Sequence, residues 1–393
     1  MNPDDSNLQM PDDNNGLPPL QNNQLLDQKF SEPSENKSKI IPMILVVMAL
    51  LIIAAIGLFL FMKEPETNTS ATTETQNVEL KDVTVKLKWK HNAQFAGMYY
   101  AQENGIYAKK GLNVKFEEWS PERGSATQIV SDKEADFGVS TGVDIITGNA
   151  DKGRNTVGVA TIFQHDPEGF IALESSGIKE LKDAAGKKIG LFPGKTTLVW
   201  EAMLKAQGLE DMEYTVVNMD FSTLPTPDYN VLRDKTVDVY ATFMNDQGVQ
   251  LAQALEDENI EDSVVNLNPY DYGVKNYNDT IITHPDTIGS NPQLVQDFVN
   301  ATIDGWKEAL KNPEAAVTET NVYVGEDYAP FSEAIFAAQV PFVLTNDDPL
   351  LWSDASVWRD MYRLLSQNSA LTNTIDVTNV FDTSFVRTYY GAN

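Results

Sequence analysis

Residues 87–112 read L-K-W-K-H-N-A-Q-F-A-G-M-Y-Y-A-Q-E-N-G-I-Y-A-K-K-G-L. The stretch opens on the end of an alternating apolar–polar run, residues 83–89, whose period of two is that of a β-strand ending at Trp89. Asn92, Gln94 and Phe95 form a polar loop, and residues 95–104 carry a helical pattern that Gly105 stops. A further strand is expected over residues 112–119. Strand, loop, helix and strand in this order is the unit from which parallel α/β sheets are assembled.

The alternation continues outward. Helices are expected over residues 124–131 and 143–150, and strands over 136–139 and 156–163. A second set follows Gly169, with strands over 170–174, 188–192, 214–217 and 237–243 and helices over 196–206 and 229–233. The run 279–283 reads as a strand ahead of a long helix over 292–311, and residues 313–393 read as mainly helical. Two α/β units in succession predict two lobes, each a parallel sheet with helices on both faces, and a cleft between them. The first lobe takes residues 82–165 with part of the chain after 245, and the second takes 166–245.

Composition removes several classes of function. The chain has 393 residues, with 29 Lys and Arg against 57 Asp and Glu, a formal net charge of -28. Such a surface repels phosphate backbones, which argues against a nucleic-acid partner. The chain has no cysteine, so disulfides, thiolate metal sites, cysteine nucleophiles and a lipid-modified cysteine anchor are excluded. The three histidines, His91, His165 and His284, stand in no metal-ligand spacing. Neither metal nor cofactor is expected.

Residues 40–62 hold no charged side chain over 23 positions. As a helix they would extend roughly 34 Å, enough to cross a hydrocarbon core of about 30 Å. The run is longer, and begins later, than the apolar region of a cleaved signal peptide, so it reads as an uncleaved anchor. Lys37 and Lys39 precede it and Lys63 follows it, which places the amino terminus in the cytoplasm and the folded part outside. Residues 1–39, rich in Asn, Asp, Pro and Gln, read as a disordered cytoplasmic tail, and residues 63–81 as a polar tether. The expected location is the cell membrane, crossed once.

The opening stretch resembles that of solute-binding proteins related to the hydroxymethylpyrimidine synthases of thiamine biosynthesis, with sulfonate, nitrate and taurine binders as more distant relatives. Further matching segments follow in order. They are A-D-F-G-V at 135–139, V-A-T-I-F-Q at 159–164, S-S-G-I-K-E-L-K-D-A-A-G-K-K-I-G-L at 175–191 and V-D-V-Y-A-T-F-M-N-D at 237–246. The resemblance covers residues 83–311, and more weakly the carboxyl end. It implies the two-lobed type II periplasmic-binding fold, a pyrimidine-like ligand and an ABC-transporter permease as partner.

Candidate contacts lie where the strands of an open α/β sheet end, which is where ligands bind in such sheets. Trp89 offers an aromatic face, with Asn92, Gln94 and Phe95 beside it; Trp89 is either a stacking platform, as the resemblance implies, or a core tryptophan. Trp119 and Ser140 close the next two strands, and Gln164 stands at the crossover between lobes. Residues 120–127, S-P-E-R-G-S-A-T, either hold a polar ligand edge or serve as a cap through Ser125. In F-P-G-K-T-T at 192–197, Gly194, Lys195 and Thr196 open a helix whose free N–H groups can meet a ligand, or Thr196 simply caps it. A nucleotide loop is excluded there, since the pattern needs a glycine where Ile189 stands. Asn245 and Asp246 match an Asn-Glu pair of the resembling binders, and either accept ligand N–H groups or cap a helix.

The resemblance also raises an enzymatic alternative. The related synthase carries a cofactor-binding lysine where Ser140 stands and a histidine where Asp144 stands, and has a cysteine-rich run, all missing here. The other alternative is a ligand sensor that works through a separate signalling partner, because the cytoplasmic tail is too short to hold a kinase or cyclase domain.

Overall fold

The structure, a computed structural model, describes residues 80–392 except 221, 225, 226, 346 and 347. The tail, the expected anchor over residues 40–62 and all of the tether but its last two residues lie outside the described part. Among the described residues no helix is long and apolar enough to cross a membrane.

Among the described residues ten strands run in chain order as β1 (Lys81–Lys86), β2 (Leu112–Glu117), β3 (Phe137–Ser140), β4 (Val157–Phe163), β5 (Glu168–Leu173), β6 (Lys188–Leu191), β7 (Thr215–Asn218), β8 (Val239–Phe243), β9 (Val264–Leu267) and β10 (Asn278–Thr283). They form two five-stranded sheets, ordered β2-β1-β3-β10-β4 and β7-β6-β8-β5-β9. The helices are α1 (Ala96–Glu103), α2 (Ala126–Ser131), α3 (Gly142–Asp151), α4 (Lys195–Ala206), α5 (Asn230–Arg233), α6 (Gln247–Asp257), α7 (Pro285–Ser290), α8 (Pro292–Lys311), α9 (Pro313–Thr320), α10 (Ser332–Val343), α11 (Ala355–Gln367) and α12 (Ser384–Tyr390).

Both sheets are mixed, which corrects the expectation of parallel sheets. β10 is antiparallel to β3 and β4, and β5 is antiparallel to β8 and β9. The cause is the double crossing of the chain. β1, β3 and β4 end at the cleft, so β5, which follows β4 across it, enters the second sheet from the cleft side and must run against β6 and β8. β10, returning from the second sheet, does the same in the first. The second sheet also takes in β9, so the second lobe reaches past residue 245, where the sequence reading ended it.

Four apolar clusters result among the described residues, two in each lobe. In the first lobe Val83, Val85, Phe137, Val139, Ile281, Phe298 and Trp306 pack without exposure. The amphipathic α8 lies along α1, and Gly97 meets the indole of Trp306 so closely that a methyl group there would overlap it. In the second lobe one cluster is built on Phe170, Ile189, Trp200 and Val239. Two carboxyl-terminal helices touch both lobes: α10 packs against β4 and α6, and α11 against α3 and α4.

Candidate ligand-binding site

β1 ends at Lys86, three residues before the expected end, and residues 88–92 bend rather than extend. Trp89 therefore sits on a turn, half-buried. Its ring stacks on Trp119 with centroids 5.4 Å apart and planes 15° from parallel. The Trp119 N–H donates to the Trp89 carbonyl at 3.1 Å, and Trp89 and Tyr328 share a side-chain hydrogen bond. The next turn is set by Asn92, whose Oδ1 accepts from the Gln94 N–H at 2.9 Å. From α10, the Gln339 amide donates to the Ala93 carbonyl at 2.8 Å and fixes this turn against the carboxyl-terminal helices.

These residues face a cavity of about 290 Å³ between the lobes. The first lobe contributes Lys88, Trp89, Asn92, Gln94, Thr141 and Asp144. The second contributes Glu168, Phe192, Pro193, Lys195, Thr196, Tyr240, Ala241, Thr242, Phe243, Asn245, Asp246 and Gln247, while Ile335 comes from α10.

Asp246 holds the position before α6 but does not cap it. Its carboxylate instead accepts from Gln250 Nε2 at 2.6 Å and, across the cleft, from Asn92 Nδ2 at 3.3 Å. Burial pushes this carboxyl up to about 6, although the Gln250 bond works against that rise. Beside it Asn245 is buried, and its Oδ1 has no hydrogen-bond partner among the described residues. Thr196 staples the loop ahead of α4, accepting from the Phe192 N–H at 2.8 Å and donating to the Phe192 carbonyl at 2.7 Å. It thus braces the loop and lines the cavity together.

Both cations of the lining are ion-paired. Lys195 pairs with Glu168 and, at 3.4 Å, with Asp166. Burial alone would lower its ammonium, but the two carboxylates outweigh that and hold it above the ordinary lysine range. Lys88 pairs with Asp279 at 2.7 Å, and burial raises the Asp279 carboxyl to about 6 against the pull of Lys88. Asp144, Glu168 and Asp246 stand against Lys88 and Lys195 in the lining, so its balance is acidic.

Seven of the residues singled out from the sequence meet at this cavity: Trp89, Asn92, Gln94, Lys195, Thr196, Asn245 and Asp246. The other five do not line it. Phe95 is fully buried, with its ring edge-on to Tyr99 in the core of the first lobe. Trp119 lies behind Trp89. Ser140 is buried in the β3–β10 ladder opposite Thr280. Gln164 donates to the Pro349 carbonyl at 2.6 Å and accepts from Thr345 at 3.0 Å, tying the crossover to the chain beyond α10. Gly194 supplies backbone geometry at the start of α4, with φ at 101°. Ser125 caps α2 through its hydroxyl, as one reading of its loop expected. Lys88, Glu168, Tyr240 and Phe243 line the cavity and were not anticipated, and Phe192 lines it from the 192–197 loop that was.

The sequence pattern described as NMT1/THI5 like matches residues 92–316, more than half of the chain. The chain belongs to this family. Relatives of the NMT1/THI5-like chain include a riboflavin-binding protein of Chloroflexus aurantiacus, 25% identical over 81% of this chain and 90% of its own length. A 4-amino-5-hydroxymethyl-2-methylpyrimidine phosphate synthase of Legionella pneumophila is 25% identical over 66% of this chain and 79% of its own. A formylaminopyrimidine-binding protein of Halalkalibacterium halodurans is 21% identical over 84% and 97%. Among solved structures, a periplasmic sulfonate-binding protein of Methylobacillus flagellatus superposes with a TM-score of 0.59 at 19% identity, covering 80% of this chain and 94% of that one. The NMT1/THI5-like chain thus has the two-lobed periplasmic-binding fold.

Proposed function

We propose that this NMT1/THI5-like chain is an extracytoplasmic receptor that binds a small aminopyrimidine and delivers it to an ABC importer, with residues 40–62 as its membrane anchor. One observation carries the reading: Trp89 and Asn92 from one lobe and Asn245 and Asp246 from the other close on the same cavity. An aromatic face with carboxylate and amide acceptors beside it matches a flat ring that carries N–H donors. Closure of both lobes on one ligand is how a hinged receptor commits to it.

Size and charge narrow the class. A cavity of about 290 Å³ lies just below the range of about 300–1,000 Å³ usual for small-molecule sites. It suits one substituted ring better than the fused rings and side chain of riboflavin. A sulfonate would meet three carboxylates against two lysines, each of which already has a carboxylate beside it. Synthase chemistry is not proposed, since Ser140 and Asp144 stand at the positions of the related enzyme's lysine and histidine and the chain has no cysteine. Finding a permease gene beside this one would support transport, and finding a histidine-kinase gene there would support the sensor alternative.

The test is calorimetric titration and thermal melting with 4-amino-5-hydroxymethyl-2-methylpyrimidine, riboflavin and an alkanesulfonate. Saturable binding of the pyrimidine, with a rise in melting temperature, is expected. Binding of only riboflavin or only the sulfonate refutes the ligand class.

A further inference from the structure

Lys88 enters the cavity wall from the turn that follows β1, next to Trp89 in sequence and opposite Phe243 in space. Its ammonium donates to Asn278 Oδ1 at 2.8 Å and pairs with Asp279 Oδ1 at 2.7 Å. Both acceptors are themselves fixed. Asn278 is fully buried and donates its amide to Asp166 Oδ1, at the interlobe crossover, at 2.7 Å. Asp279 is fully buried with φ at 46°, a left-handed aspartate between two ladder residues of β10. A non-glycine residue holds such a conformation only where its surroundings impose it. The backbone takes this conformation at the residue whose carboxylate meets Lys88.

An ammonium has three N–H donors and no acceptor. One is given to Asn278, and the ion pair with Asp279 holds the ammonium on the same β10 side. The Phe243 ring, from the second lobe, lies on another side with its centroid 4.5 Å from Nζ, and Lys88 and Phe243 both line the cavity. Donor capacity is therefore left at the cavity wall, which Lys88 lines. Elsewhere in that wall stand the acceptors Asn245 Oδ1 and the Asp246 carboxylate. The cavity accordingly offers acceptors to the N–H edge of a ligand and, separately, a charged donor at Lys88.

We infer that Lys88, held by Asp279 and Asn278, is a specificity-determining residue that reads a hydrogen-bond acceptor on the ligand's substituent, such as a hydroxyl or carbonyl oxygen. The inference rests on the aminopyrimidine reading above and adds a second point of recognition to it. A ring that satisfies Asn245 and Asp246 but carries only a methyl group toward Lys88 leaves a charged donor buried and unmatched, which costs affinity.

The probes are 4-amino-5-hydroxymethyl-2-methylpyrimidine and its analogue with a methyl group in place of the hydroxymethyl, titrated into the full chain. The wild type is expected to prefer the hydroxymethyl compound by about 10-fold or more, the scale of a hydrogen bond to a charged group. Removing Lys88 alone leaves Asp279 unpaired and endangers folding, so the variant is the neutral pair Lys88→Met with Asp279→Asn. Asp279→Asn alone is the reference for melting temperature. The double variant should bind the two probes within about 2-fold of each other, and Asp279→Asn, with a loosened Lys88, should fall between it and the wild type. Equal losses for both probes, with the preference intact, would mean that Lys88 is merely structural and overturn the inference alone. Failure of the wild type to bind either probe overturns the ligand class and this assignment with it.

Discussion

Replacing Asp246 by Asn tests the electrostatics of the cavity without changing its shape. Burial has moved this carboxyl from 3.8 to about 6, which corresponds to about 3 kcal/mol of differential stability. The sign follows from proton affinity. The folded state holds the proton more tightly than the unfolded chain, so the contribution of Asp246 is most favourable below pH 3.8 and is lost as pH rises through about 6. Above that, the folded protein carries a buried charge that Asn lacks. Asn keeps the bond from Gln250 but places a donor toward Asn92, a mismatch costing about 1 kcal/mol. Asp246→Asn should therefore be more stable than the wild type by about 1–3 kcal/mol at pH 8 and slightly less stable at pH 3.5. Urea unfolding of both proteins across this range reads the difference, and the remaining carboxyls cancel because both proteins share them. A difference that does not vary with pH refutes the claim that burial strains this carboxylate. Affinity for an aminopyrimidine should fall in the same variant, trading stability for function.

Trp89→Ala should weaken aminopyrimidine binding about tenfold or more, and Trp89→Phe should recover much of that loss; unchanged affinity in titration would remove Trp89 from the site. Gly194→Ala forces a side chain into φ of 101°, where space is free but the backbone is not, and should cost about 1–3 kcal/mol in chemical denaturation. Residues 82–393 alone should fold and bind like the full chain, as thermal melting with and without ligand will show. The mass of the protein extracted from cells should include residues 40–62, and a mature amino terminus within residues 67–72 would identify a cleaved leader instead.

Most of the architecture was legible because its signals are local. The helix expected over 292–311 is α8 to the residue, with Pro292 in its first turn and a strong apolar stripe. The helix α6 and the strand β9 were not assigned, and each has a reason. α6 buries only Gly248, Leu251 and Leu255, and β9 is a four-residue edge strand with one fully buried side chain, Leu267. The site was half legible. Strand ends point to Trp89, Asn92 and Asp246, but alternation puts Lys88 on the face opposite Trp89, and only the turn after Lys86 brings both to one cavity. Phe95 shows the reverse error: in the tight turn Ala93–Phe95 it is fully buried, where the loop reading had set it beside Trp89 as a ligand contact. The parallel or antiparallel sense of β5 and β10 depends on which lobe the chain has just left, and no local pattern records that.

The placement of β10 also governs the order in which the polypeptide can assemble. All five strands of the second sheet lie in one uninterrupted segment, from Glu168 to Leu267. The first sheet lacks its penultimate strand until Asn278–Thr283 appears, after the whole second lobe has been made. During synthesis, at about 5–20 residues per second, the second lobe has its strands in hand before the first lobe can close. Until then β3 and β4 wait with unpaired edges, the condition that invites association between chains. Refolding from denaturant should accordingly pass through a species with the second lobe formed and the first still open. Its lifetime should set the rate at which active receptor appears.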